Sequence, residues 1–415
     1  LVKKSKNDEG ILRAFFAGNS EFLLLSRIFL APYMDLFTKH RDMLFGQIGM
    51  NATGREFSDR LCAMYRRIEN LGDNNMFQEM LIEEGWMDSD FEKYDKKLVV
   101  LRYGVSVLWW LVQHTPYYQR HPDMLLVVQL ILQSYQQFFV LIGNDLFLFK
   151  THLPSGMWGT TFVNCICEAI IEVLEFHFCV YCHKHGSPPG TGLFVSQSDE
   201  DFFKQVSLIN FGDDNLKYVH RSARGYYQHH YIMMFSQWIQ MGITPAFKEE
   251  KVIKFKKVTE ILFLKRTPVW DPNLNCLLGT LTHQSIARMF AFTDSSSPDW
   301  EKMVILQGLR EMSFHLPILF NNFVRIFEDI IAKYVNLSSC NQSMLRESII
   351  KSIDWISFMG ENLLPLGNEF DTFTIPVEDI LTVSTSQSSQ AVSGLSTKLA
   401  DKLNMSASDI FVYQV

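Results

Sequence analysis

A chain of 415 residues with 47% hydrophobic and 20% charged residues is long enough to bury a large core, which argues against a disordered chain. The net charge of −7 excludes a global basic signature for nucleic acid and leaves only local clusters: Lys3, Lys4 and Lys6; Lys248, Lys251, Lys254, Lys256 and Lys257; Lys265 and Arg266. Seven cysteines, an odd number, argue against a disulfide framework and fit a reducing compartment.

The first 80 residues read as mixed loops and helices. Residues 86 to 91 form a candidate strand, with a helical stretch from Tyr94, and residues 118 to 150 read as largely helical. Leu98 to Val112 is too short and is interrupted by Arg102, and Met124 to Phe149 carries Gln129, Gln133, Gln136, Gln137 and Asp145. Neither gives the roughly 20 clean apolar residues of a transmembrane span. A turn at Pro154-Ser155-Gly156 opens a strong helix in which Glu168, Glu172 and Glu175 recur at i, i+4, i+7. Ile166, Ile170, Val173 and Phe176 fall on its other faces, so one polar stripe runs along a buried rod. Cys179, Cys182, His183 and His185 resemble half of a zinc site or a haem attachment run. With no second ligand pair at finger-like spacing, they read as a reduced loop after that helix.

After a Pro/Gly loop at Gly186 to Gly192, the runs Val206 to Phe211 and Leu216 to Val219 flank Gly212-Asp213-Asp214-Asn215, a hairpin signal. A helix is expected from about Ser222 to Gln240, ended by Gly242, followed by strand-like runs at Val252 to Phe255 and Ile261 to Leu264. From about Asp271 to Gly367 the pattern is helical, with Ser297-Pro298 starting one helix. Residues 383 to 397, rich in Ser, Thr and Gln, read as a linker before a short tail.

Four features carry chemistry. Asp90 at a strand end and Asp95 at a helix start can face one cleft; taken alone such a pair is usually a helix cap and a surface charge, and Asp88 is a rival earlier on the strand. Ser155, Thr160 and Asn164, presented by a glycine turn and the helix after it, can hydrogen-bond a sugar hydroxyl or simply cap that helix. The adjacent carboxylates Asp213 and Asp214 repel unless cations neutralise them, and Mg²⁺ is the natural hard-oxygen choice. Lys248 after Thr244-Pro245, and the pair Lys265-Arg266 after Phe263-Leu264, suit phosphate contacts or ordinary surface charge.

In this order the features resemble motifs A to E of picornavirus-like RNA-dependent RNA polymerases: Asp90 and Asp95, then Ser155-Gly156 with Thr160 and Asn164, then Phe211-Gly212-Asp213-Asp214, then Thr244-Pro245-Ala246 with Lys248, then Phe263-Leu264-Lys265-Arg266. Lys4 to Arg13 resembles motif F, and Phe45 to Phe57 resembles the finger segment before motif A. Phe211 stands where Tyr is commoner, Ile11 where many relatives carry lysine, and Lys97 where a small residue is usual.

The resemblance implies an α+β right-hand fold with fingers, a palm built on an antiparallel sheet, and a helical thumb. Residues 1–85 would be partial fingers, 86–112 palm, 113–152 palm and finger helices, 153–270 palm, 271–380 thumb, and 381–415 linker and tail. It implies two-metal nucleotidyl transfer, with Asp90, Asp213 and Asp214 holding two Mg²⁺ ions for which Mn²⁺ can substitute. Asp95, Ser155, Gly156, Thr160 and Asn164 would bind the nucleotide and read its ribose. Lys4, Lys6 and Arg13 would clamp the triphosphate, Lys248 would act as general acid, and Lys265 and Arg266 would grip the primer. The implied partners are template and primer RNA, NTPs and other viral replication proteins, in membrane-associated complexes of the host cytoplasm. The start at Leu1, directly before the lysine cluster, is expected to be a cut from a polyprotein, without the index finger. A reverse transcriptase, and a catalytically incomplete polymerase fragment or scaffold, remain as alternatives.

Overall fold

The computed structural model describes residues 20–70, 76–92, 94, 97–142, 145–150, 152–153, 157–190, 202–271 and 275–291, with 307–308, 311–312, 314–315 and 325. Lys4, Lys6, Arg13, Asp95, Ser155, Gly156, the helix expected after Ser297 and the Ser-rich tail lie outside the described residues. Along the chain run α1 (Ser20–Lys39), α2 (Arg55–Glu69), α3 (Met76–Ile82), β1 (Trp86–Glu92), α4 (Leu101–Gln113), α5 (Pro116–Arg120) and α6 (Pro122–Gln136). There follow β2 (Gln137–Ile142), β3 (Asp145–Lys150), α7 (Thr160–His185), α8 (Phe202–Gln205), β4 (Val206–Phe211) and β5 (Asp214–Val219). The last elements are α9 (His229–Trp238), β6 (Gly242–Pro245), β7 (Arg266–Asp271), β8 (Cys276–Leu281) and α10 (His283–Ala291).

The central element is a four-stranded antiparallel sheet in the order β4-β5-β1-β6. Phe211 pairs with Asp214, so only Gly212 and Asp213 form the turn of the β4–β5 hairpin. Gly212 has φ 71°, a left-handed conformation that glycine adopts at little cost. Period-two alternation sends successive side chains to opposite faces. Met87, Val206, Leu208, Val219 and Ile243 join one core with the buried side of α7, including Phe176 and Phe178. Trp86, Ile209, Leu216 and Tyr218 join a second core with Phe57, Leu61 and Tyr65 of α2 and with Val258, Ile261 and Phe263. Helix α4 lies close against α7: a Cβ placed on Gly104 would stand 2.4 Å from the Cys167 sulfur, so the approach of the two helices depends on that glycine.

Several expectations need correction. The helical pattern of residues 118–150 ends at Gln136, and β2 and β3 pair from Gln137↔Lys150 to Ile142↔Asp145. Phe138 stacks on Phe149 across the ladder with ring centroids 5.5 Å apart, an aromatic cross-strand pair that supports the pairing. The helix expected from Ser222 begins only at His229, because Arg224 is drawn back to the Val219 carbonyl and to Glu83. The runs at residues 252–255 and 261–264 form no extended strand; they contribute buried Ile253, Ile261 and Phe263 to the cores beside isolated bridges at Lys256 and Phe263. The helical pattern expected from Asp271 is interrupted at once by β8, which pairs with β7 along its whole length. Cys179, Cys182, His183 and His185 belong to α7 itself, which runs to His185, rather than to a loop after it.

Candidate active site

The site is built where β1 meets the β4–β5 hairpin. Ser89 pairs with Asn215, and its Oγ donates to Asn215 Oδ1 at 3.0 Å. Asp90 follows Ser89 and Asp214 precedes Asn215, so alternation turns both to the opposite face of the sheet, where the Asp90 charge acts on the Asp214 carboxyl. Asp213 occupies the exposed tip of the turn. Burial, reinforced by the negative charges of Asp213 and Asp90, pushes the Asp214 carboxyl up to about 7, while Lys265 and Lys248 pull it the other way. Asp90 and the Gly-Asp-Asp turn, distant in sequence, therefore form one electrostatic unit.

Asp90 also pairs with Thr244 on the edge strand β6, and this brings Lys248 into reach. Lys248 Nζ donates to Asp90 Oδ2 at 2.5 Å and to Thr244 Oγ1 at 3.0 Å. Lys248 is 61% exposed, so its ion pair is screened and exchangeable. The rival Asp88 is committed elsewhere: it is buried, accepts from Lys256 Nζ at 2.7 Å and from the Leu262 amide at 2.6 Å, and so anchors the segment behind the sheet.

An open cleft of about 360 Å³ lies over the turn, lined by Thr161 and Asn164 of α7, by Phe211 to Asp214, and by Leu264 and Lys265. Asn164 accepts a hydrogen bond from Tyr94 at its backbone carbonyl oxygen, at 3.0 Å. Its side-chain Oδ1 is buried with no hydrogen-bond partner in the structure, an acceptor left open beside the cleft. Thr160 Oγ1 donates to the Met157 carbonyl at 2.7 Å, at the start of the helix. Thr161, which the sequence reading passed over, lines the cleft instead; it lies three residues before Asn164, a helical spacing that places both on one face. Leu264 and Lys265 both have positive φ, at 54° and 60°, uncommon for residues with a Cβ, and this turn sets Lys265 at the cleft. Arg266 is engaged in a two-pronged ion pair with Glu311 at 2.7 and 2.9 Å.

The donor set suits a divalent cation. Three aspartates offer hard oxygen ligands, and their mutual repulsion is relieved by added positive charge, part of which the Lys248 ammonium supplies to Asp90. Among the described residues no group of three or more His, Cys, Asp or Glu side chains is already gathered tightly enough to coordinate a metal, the Cys179–His185 run included.

No protein-family model matches the chain. It is 23% identical over 323 residues to the replicase polyprotein of Drosophila C virus (strain EB), a match covering 75% of this chain and 17% of that protein. Against the replicase polyprotein of acute bee paralysis virus (strain Rothamsted) it is 21% identical over 345 residues, covering 79% of this chain and 16% of the other. Against the RNA1 polyprotein of grapevine fanleaf virus it is 25% identical over 271 residues, covering 64% and 10%. The chain thus spans about a sixth or less of the length of these relatives. Among solved structures, the sicinivirus 3Dpol RNA dependent RNA polymerase aligns with a TM-score of 0.51 at 15% identity, covering 80% of this chain and 60% of that one.

The chain has the fold of a viral RNA-dependent RNA polymerase. Its relatives are picorna-like viral replicase polyproteins. The mixed helices and antiparallel sheet agree with that right-hand polymerase fold, and the expected fold class holds. No helix among the described residues is long and apolar enough to cross a membrane.

Proposed function

We propose that this chain is an RNA-dependent RNA polymerase that extends a primer 3′-hydroxyl with NTPs along an RNA template, as part of a viral replicase. The observation that carries the proposal is the meeting of Asp90 with Asp213 and Asp214 beside a cleft whose wall holds the open acceptor of Asn164. Asp90, Asp213 and Asp214 would hold Mg²⁺, or Mn²⁺ in its place. When bound, the metal supplies Lewis acidity toward the attacking hydroxyl and neutralises charge on the leaving pyrophosphate.

The protein's own groups do the rest. Asn164 Oδ1 would accept from the ribose 2′-hydroxyl, and a deoxynucleotide would leave that buried acceptor unpaired, which disfavours it. Asp95, Ser155, Gly156 and Thr160 would complete the sugar contacts, and Lys4, Lys6 and Arg13 would hold the triphosphate. Lys248, already within hydrogen-bond distance of Asp90, would deliver a proton to the departing pyrophosphate. Lys265, exposed at the cleft, would contact the primer backbone, with Arg266 beside it once released from Glu311. The setting would be a replication complex on host cytoplasmic membranes, shared with other proteins of the same polyprotein.

The test is primer extension by the purified chain on a heteropolymeric RNA template with Mg²⁺ or Mn²⁺. Template-dependent incorporation of NTPs is expected. Incorporation of dNTPs in preference would favour a reverse transcriptase, and no incorporation with either would favour the incomplete-fragment alternative.

A further inference from the structure

The polar stripe of α7 meets the ammonium of Lys217. Lys217 of β5 is buried and faces that helix, its Nζ 2.5 Å from Glu172 Oε2 and 2.6 Å from Glu175 Oε1. All three side chains are at most 1% exposed, and the ammonium also lies 4.9 Å from the centre of the Tyr227 ring. Lys217 is three residues from Asp214 on the same strand, and Glu172 is two turns from Asn164 on the same helix. The triplet therefore joins the strand that carries the acidic turn to the helix that carries the candidate sugar-reading residue.

A second attachment lies nearer the cleft. Asn210 Nδ2 donates to the Cys165 carbonyl at 2.9 Å, and the Gly212 amide lies 3.3 Å from the Cys165 sulfur. Cys165 and the Glu172–Glu175 pair are separated by about 10–15 Å of helix axis at 1.5 Å per residue. Two directional attachments at that separation fix both the sliding and the tilt of the hairpin on α7. Apolar packing alone would fix neither as sharply, because the hydrophobic effect has no direction. A buried ion triplet is a poor choice for stability, since well-packed apolar side chains often do as well, so its directional value is the stronger reason for it here.

We propose that Lys217, Glu172 and Glu175 are positioning residues that hold the aspartate hairpin in register with the nucleotide-facing end of α7. This rests on the polymerase reading for its catalytic consequence but not for its structural one.

The experiment compares three forms of the purified chain: unaltered, Glu175→Gln, and a matched replacement combining Lys217→Met, Glu172→Leu and Glu175→Met. Two readouts are taken, peptide-level hydrogen exchange and the ratio of NTP to dNTP incorporation. In the matched variant, exchange within residues 206–219 should rise about tenfold or more while α2 and α4 stay protected, and the incorporation ratio should fall by a similar factor. Unchanged exchange and an unchanged ratio in a folded matched variant overturn the proposal, as does a uniform rise over the whole molecule, which marks a merely stabilising role. If the matched variant does not fold, Glu175→Gln decides: a rise of about threefold confined to the hairpin supports the proposal, and no rise overturns it. If the unaltered chain incorporates neither nucleotide, the polymerase reading fails, and the exchange measurement still decides the positioning role.

Discussion

Ser89 Oγ donates to Asn215 Oδ1 across β1 and β5, a buried bond of 3.0 Å at the last pair of their ladder. A slip of one residue would turn every side chain of β1 to the other face, separating Asp90 from Asp214. Ser89→Ala leaves the buried Asn215 amide without its donor and is expected to lower stability by about 1–3 kcal/mol. Urea denaturation of the variant checks this, and an unchanged midpoint would mean that packing alone sets the register.

Asp213 sits at the exposed turn, so its loss should spare the fold. Asp213→Ala is expected to abolish incorporation, by a factor of about a thousand or more, with a thermal midpoint no lower than that of the parent chain. Full activity in this variant would remove Asp213 from the metal site.

Asn164→Ala removes the open acceptor beside the cleft. Its expected effect is on selection: the preference for UTP over dUTP should shrink by about one to two orders of magnitude, which corresponds to the roughly 1–3 kcal/mol cost of leaving one buried acceptor unpaired. An unaltered preference would assign sugar selection to other residues.

For Lys248 the informative change is to arginine, which keeps the cation near Asp90 but is not a proton donor at neutral pH. Single-turnover incorporation by Lys248→Arg should fall by about 10²-fold or more. A rate equal to the parent's would leave Lys248 with an electrostatic role only.

Glu168 gives a pH signature. Both its carboxylate oxygens lack hydrogen-bond partners, and burial, with the nearby charges of Glu172, Glu175 and Asp213, holds its carboxyl well above the ordinary range despite the opposing effect of Lys217. The folded chain therefore keeps a proton that the unfolded chain releases above about pH 4.3. The stability this contributes is full below that pH and declines as pH rises toward the folded-state value. Glu168→Gln, which stays neutral, should gain stability relative to the parent between pH 5 and pH 8, by up to about 1.4 kcal/mol per pH unit. A stability difference between variant and parent that is the same at pH 5 and at pH 8 would show that Glu168 is ionised in the folded chain.

The parts of this molecule legible in the sequence are those written in neighbouring residues. The β4–β5 hairpin follows from strand formers around Gly212 and Asp213, and α7 from its apolar periodicity. The Gln137–Lys150 hairpin was hidden because α6 runs directly into β2, so the end of one period and the start of the other share Gln136 and Gln137. The stripe of Glu168, Glu172 and Glu175 was visible, but its cation lies 42 to 45 residues away from Glu175 and Glu172, on another element, where local spacing carries no information. The same holds for Arg266, expected at the primer, whose partner Glu311 lies 45 residues further along the chain.

The sheet order leaves β6 at an edge, bonded to β1 on one side. Asp90 and Asp214 thus stand on interior strands, while the chain bearing Lys248 leaves from the rim. In the proposed reaction, drawing that lysine off Asp90 would bend one peripheral segment and leave the strand-borne carboxylates in place.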